Sequence, residues 1–118
     1  MKESLPAAVT EETLTVSDVA ARLSIPASRV VQLVRDGQLL SFRHKREVVI
    51  PAAFLTDDDD VVRGLSGTII SLRDGGYQDR EILTWLFTED ESLPGSPIGA
   101  MRAGRHKEVT RRAQAMAL

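Results

Sequence analysis

The sequence predicts a mainly α fold in two parts: an N-terminal winged helix-turn-helix with a two-stranded wing, then a small all-α C-terminal domain. Three observations predict it. Two short apolar-periodic segments stand on either side of a tight turn at residues 23–27. A ribbon with a basic tip follows the second segment directly. From residue 61 onward, apolar residues recur at helical spacing between Gly- and Pro-containing breaks.

Residues 1–13 show no periodicity and few apolar side chains, so they read as a flexible tail. The winged head is expected over 14–56. Ser17 is the expected N-cap of its first helix, and Asp18 suits the positive end of the helix dipole. Val19, Ala20 and Leu23 form the apolar face. Pro26 opens the second helix, where a missing N–H costs nothing. Val30, Leu33 and Val34 form its buried stripe, and Gly37 ends it as a left-handed residue. The wing is expected as strands Gln38–Arg43 and Glu47–Ile50. A third short helix should start at Pro51 and end near Phe54 and Leu55.

The helical domain is expected over 57–118, packed on the head or forming a homodimer interface. Its helices are expected over Val61–Arg73, from Asp79, from Ser96 and Pro97, and over Arg105–Leu118. Trp85, on an apolar helix, reads as core. About 60 residues is marginal for an independent core, so this half needs a cover.

The helical phase leaves Ala27, Ser28, Arg29, Gln32 and Arg35 outside. They are small, hydrogen-bonding or cationic. Arg43, His44, Lys45 and Arg46 surround the wing tip. A helix that fits a major groove beside a basic ribbon is a reading head for double-stranded DNA. Charge placement agrees. The 118 residues carry a net −2, but residues 17–55 carry +3, residues 56–95 carry −7 and residues 96–118 carry +4. Local sign decides attraction, because the Debye length is about 8 Å at physiological salt.

The blocks Val19-Ala20-Ala21-Arg22-Leu23, Arg35-Asp36-Gly37-Gln38-Leu39 and Val49-Ile50-Pro51 resemble the winged helix-turn-helix of the MerR and excisionase type. That resemblance implies base contacts from Ala27, Ser28, Arg29 and Gln32, and phosphate contacts from Arg43, Lys45 and Arg46. One departure is Pro26, which stands where a hydroxyl N-cap is common. A second set of blocks is Asp74-Gly75-Gly76-Tyr77-Gln78-Asp79-Arg80-Glu81-Ile82, Trp85-Leu86-Phe87-Thr88 and Arg111-Arg112-Ala113-Gln114-Ala115-Met116-Ala117. It resembles a small actinobacterial family of DNA-binding proteins, in which a winged head precedes a family-specific helical domain. That family is associated with Ser/Thr protein kinase signalling. The association makes Thr10 a candidate phosphorylation site and a kinase a candidate partner.

Other classes fit poorly. The absence of cysteine removes disulfides, thiolate zinc sites and cysteine nucleophiles. His44 and His106 fall in different halves, and no nucleophile, base or phosphate-loop pattern stands out, so no enzyme is expected. Asp57–Asp60 fails the calcium-loop pattern, because Val62 and Thr68 occupy the Gly and Glu positions. It reads as a solvated linker or helix start, and neither a metal nor a cofactor is expected. No apolar run suits a membrane or a secretion signal, so the expected location is cytoplasmic. The alternative class is a protein-interaction adaptor or antitoxin-like protein that docks DNA only weakly.

Overall fold

The computed structural model describes residues 5–93 and 95–118. The helices are α1 (Ala7–Glu11), α2 (Val16–Leu23), α3 (Ala27–Arg35), α4 (Leu65–Asp74), α5 (Asp79–Phe87), α6 (Pro97–Arg102) and α7 (His106–Met116). The strands are β1 (Thr13–Thr15), β2 (Phe42–His44) and β3 (Glu47–Pro51). The sheet is antiparallel in the order β1-β3-β2.

The stretch expected as a flexible tail is folded from residue 7 onward. Residues 1–4 of it lie outside the described residues. Val9 of α1 is fully buried in the common core, in a helix that packs against α5. β1 then pairs Leu14 with Ile50. One buried residue in a five-residue helix gives no periodicity, and a three-residue strand shows itself only through its distant partner.

α2 starts two residues earlier than expected. Thr15, not Ser17, is the N-cap. Its Oγ1 accepts from Asp18 N at 3.0 Å, and Thr15 N donates to Asp18 Oδ2 at 3.1 Å. This reciprocal box satisfies two donors at once, which a lone Ser17 cap does not. α2 ends in left-handed Ser24, and Ile25 N closes the turn on Ala20 O at 3.0 Å. Pro26 precedes α3 as its extended N-cap rather than occupying the first helical position. Val30 and Leu33 are buried and Val34 is half-buried, in the expected phase.

The first wing strand is shorter than expected. Gln38 N and Leu39 N are bonded to Leu33 O at 2.9 and 3.3 Å, which turns residues 38–39 back under α3. Leu39 and Leu40 are fully buried, so pairing starts only at Phe42, opposite Val49. A 3-10 turn over Ala52–Phe54 follows Pro51, as expected.

Residues Asp57–Asp60 form an exposed turn, not a helix start. Its backbone is tied to Thr56, with Thr56 N donating to Asp60 O at 2.7 Å. α4 accordingly begins at Leu65, later than the expected Val61, after left-handed Gly64. Gln78, not Asp79, caps α5, in a box with Glu81 at 2.8 Å. Ser96 caps α6, with Pro97 as its first residue, as expected. Trp85 is half-buried and lines a groove with Leu72, Tyr77, Ile82 and Met116, while Ile82, Leu83 and Leu86 form the core stripe.

The two halves share one core. Phe54 from the head lies 5.8 Å, centroid to centroid, from Phe87 of α5. Arg102 of α6 donates to Ala53 O at 3.0 Å and to Leu55 O. Residues 56–118 expressed alone would lose both Phe54 and Val9 as covers. Such a fragment should show no cooperative melt by circular dichroism and should have solvent-exposed Trp85 emission. A sharp transition with blue-shifted emission from a monomeric fragment would reject this.

Candidate nucleic-acid interface

α3 presents one open face. Ala27, Ser28, Arg29, Gln32 and Arg35 are all exposed, as the phase of the buried Val30 and Leu33 requires. Val31 is exposed on the same face at 46% and was not among the expected readers. The signal for it was present in the sequence. It follows Ala27 by four residues and precedes Arg35 by four, which sets all three in one row.

The far end of α3 is held by the C-terminal half. Arg73, in the last turn of α4, is bonded to both carboxylate oxygens of Asp79 at 2.8 Å. The same guanidinium faces the last carbonyls of α3, with Nη1 3.4 Å from Arg35 O and Nη2 3.5 Å from Val34 O. A cation there complements the negative end of the helix dipole. The Asp79 hydrogen bond raises the Arg73 pKa above its ordinary value, against the effect of burial. Gly37 makes room for this contact. It sits at φ +81°, and a Cβ would stand 3.0 Å from Arg73 Nη1. Ser66 Oγ donates to Gln38 O at 3.2 Å, just beyond.

The wing is β2 and β3 with a two-residue loop, since His44 pairs with Glu47. Lys45 and Arg46 form that loop, at φ +52° and +69°. Two left-handed central residues match the twist of the strands, but such loops favour Asn-Gly. Here two cations hold a conformation that costs non-glycine residues about 1–2 kcal/mol each. Arg43, Lys45 and Arg46 are exposed. His44 is half-buried and stands edge-on to Phe42 at 6.2 Å, so its ring packs on the wing as well as flanking the tip.

The head's cations differ in their partners. Arg22 of α2 is paired with Asp59 at 2.7 Å and also donates to Thr56 O at 2.9 Å. Arg29, Arg35, Arg43, Lys45 and Arg46 make no ion pair among the described residues. The structure therefore leaves a set of uncompensated cations on α3 and the wing. Among the described residues, no group of acids and histidines is arranged to hold a metal, and no helix is long and apolar enough to cross a membrane.

The strain at the wing tip is measurable. K45N/R46G replaces both left-handed residues with the pair this loop favours. It should raise the melting temperature, with a gain of about 1–2 kcal/mol. An unchanged or lowered calorimetric midpoint would show that the loop carries no such strain.

Comparison with known proteins bears on the whole chain. A family model described as "DNA-binding protein Rv2175c, wHTH domain" matches residues 2–55. A second, described as "Rv2175c C-terminal domain of unknown function", matches residues 62–117. The DNA-binding protein Rv2175c of Mycobacterium tuberculosis (strain ATCC 25618 / H37Rv) is 44% identical over 119 residues, covering 91% of this chain and 82% of the relative. An NMR structure of Rv2175c superposes with a TM-score of 0.82 at 38% identity, covering 100% of this chain and 85% of that one. With both domains matched in order and the relative covered over most of its length, the chain belongs to the family of the DNA-binding protein Rv2175c.

Proposed function

We propose that this protein binds double-stranded DNA in the manner of MerR- and excisionase-type heads and acts as a transcriptional regulator or nucleoid-associated factor. α3 enters the major groove and the wing grips neighbouring phosphates. The observation that carries this reading is the contrast between Arg22, which is neutralised, and the five cations of α3 and the wing, which are not. The open face of α3 adds hydrogen-bonding groups suited to base edges, Gln32 among them. The family's DNA-binding description supports the same reading.

The wing gives the direct test. Replacing Arg43, Lys45 and Arg46 with Ala should weaken binding to all duplexes alike. It should also flatten the slope of log affinity against log salt by about 2–3. Equal affinity at low salt would remove the wing from the phosphates.

Thr10 is the proposed point of control by a Ser/Thr protein kinase. It lies near the C-terminal end of α1, half-buried, with Oγ1 donating to Ala7 O at 3.2 Å. A phosphate there adds a charge of about −1.5 to −2. It would stand beside Glu11 and Glu12, at the helix end that disfavours anions. Loosening α1 would release Val9 from the core and disturb Glu12 O, which accepts from Ala52 N at 3.0 Å at the end of β3. Phosphorylated protein, and less strongly Thr10→Glu, should bind DNA more weakly than the parent, while Thr10→Ala binds equally. Mass spectrometry after kinase treatment locates the phosphate. Its absence from Thr10, or unchanged DNA affinity once it is there, would remove this control point.

A further inference from the structure

We infer that Val31 is a specificity-determining residue that reads the 5-methyl group of thymine. The inference rests on the proposed docking of α3 in the major groove and names one contact within it. Val31 is 46% exposed in the middle of the helix, on the face that also carries Ser28, Gln32 and Arg35. Its neighbour Val30 is fully buried and already supplies the packing at this turn. A second β-branched residue here lowers helix propensity slightly, so helix formation alone does not call for it.

The setting favours a base over a protein partner. Val31 lies between Ala27 and Arg35 in one row, with Ser28 and Gln32 alongside. Val31, set among hydrogen-bonding and cationic groups with only small Ala27 as an apolar neighbour in its row, is a small patch for a protein interface. It is the right size for one methyl group. In the major groove only thymine, among the four bases, presents a methyl group, and apolar side chains are its usual readers. Small Ala27, one turn earlier, leaves the approach open on that side.

The test uses the full chain. Duplexes are enriched from a random library, and the preferred sequence is resynthesised with deoxyuridine replacing thymine at one position at a time. Deoxyuridine keeps every hydrogen-bonding atom and lacks only the methyl. The parent protein should lose about three- to fivefold in affinity at one or two positions, the scale expected for one apolar carbon. Val31→Ala should bind the thymine and uracil forms equally at those positions, while melting like the parent, since Ala favours helix. Tolerance of uracil everywhere by the parent, or full thymine preference retained by Val31→Ala, would overturn the inference. Gln32→Ala separates the two levels. If it alters base preference while uracil has no effect, α3 reads bases and Val31 does not. If neither matters, or no sequence is enriched, the docking of α3 falls as well.

Discussion

The Arg73 contact ties the reading helix to the rest of the molecule. A free helix end leaves its last carbonyls without intrahelical partners. α3 ends beside a guanidinium that is itself fixed by two bonds to Asp79. Arg73 lies on α4 and Asp79 on α5, so both supports come from the C-terminal half. Left-handed Gly37 is what lets the chain turn away without blocking that guanidinium. The orientation of the proposed DNA-reading face thus depends on residues far along the sequence. The C-terminal half is part of the head's framework, as the shared Phe54–Phe87 contact also requires.

The sequence made the local features legible. The phase of Val30, Leu33 and Val34 placed the open face of α3, and Gly37, Ser96 and Pro97 marked helix ends where they occur. Whatever depended on a distant partner was missed. α1 exists because Val9 finds the core beside α5, and β1 exists because β3 offers it an edge. Cap choice failed where two candidates stood close together. Thr15 outcompetes Ser17 because Asp18 lies three residues after it. Trp85 packs against the core as expected but at its edge, half-buried and lining a groove, which residue type alone does not distinguish from the centre. Val31 shares the open face of α3 by phase, but only small, hydrogen-bonding and cationic types count as readers in the sequence.

The wing tip shows a different conflict, between stability and charge. A two-residue loop with the right twist would most cheaply contain Asn and Gly. Lys45 and Arg46 instead occupy left-handed positions and carry two of the head's cations to its outermost point. Strain of this kind persists where neighbouring structure over-determines it, and it collects at functional sites. Pairing of Phe42, Arg43 and His44 with Val49, Val48 and Glu47 supplies that determination, with the His44 ring leaning on Phe42.

Charge placement resolves the apparent conflict between a net −2 and a nucleic-acid surface. Part of the acidic middle of the chain is neutralised within the fold. Asp59 is matched to Arg22, Asp79 to Arg73, Asp57 to Arg102 and Asp90 to Arg112. Asp90 is further satisfied by Ser92, whose hydrogen bonds hold its carboxyl below the ordinary carboxylate range. Arg112 also bonds Glu108 at 2.8 Å, so this cation of the basic last helix is engaged within the fold. None of these pairs takes up Arg29, Arg35 or the cations of the wing tip. What a polyanion would meet there is the local excess of cations, because a field screened within about 8 Å responds to neighbours and not to the total.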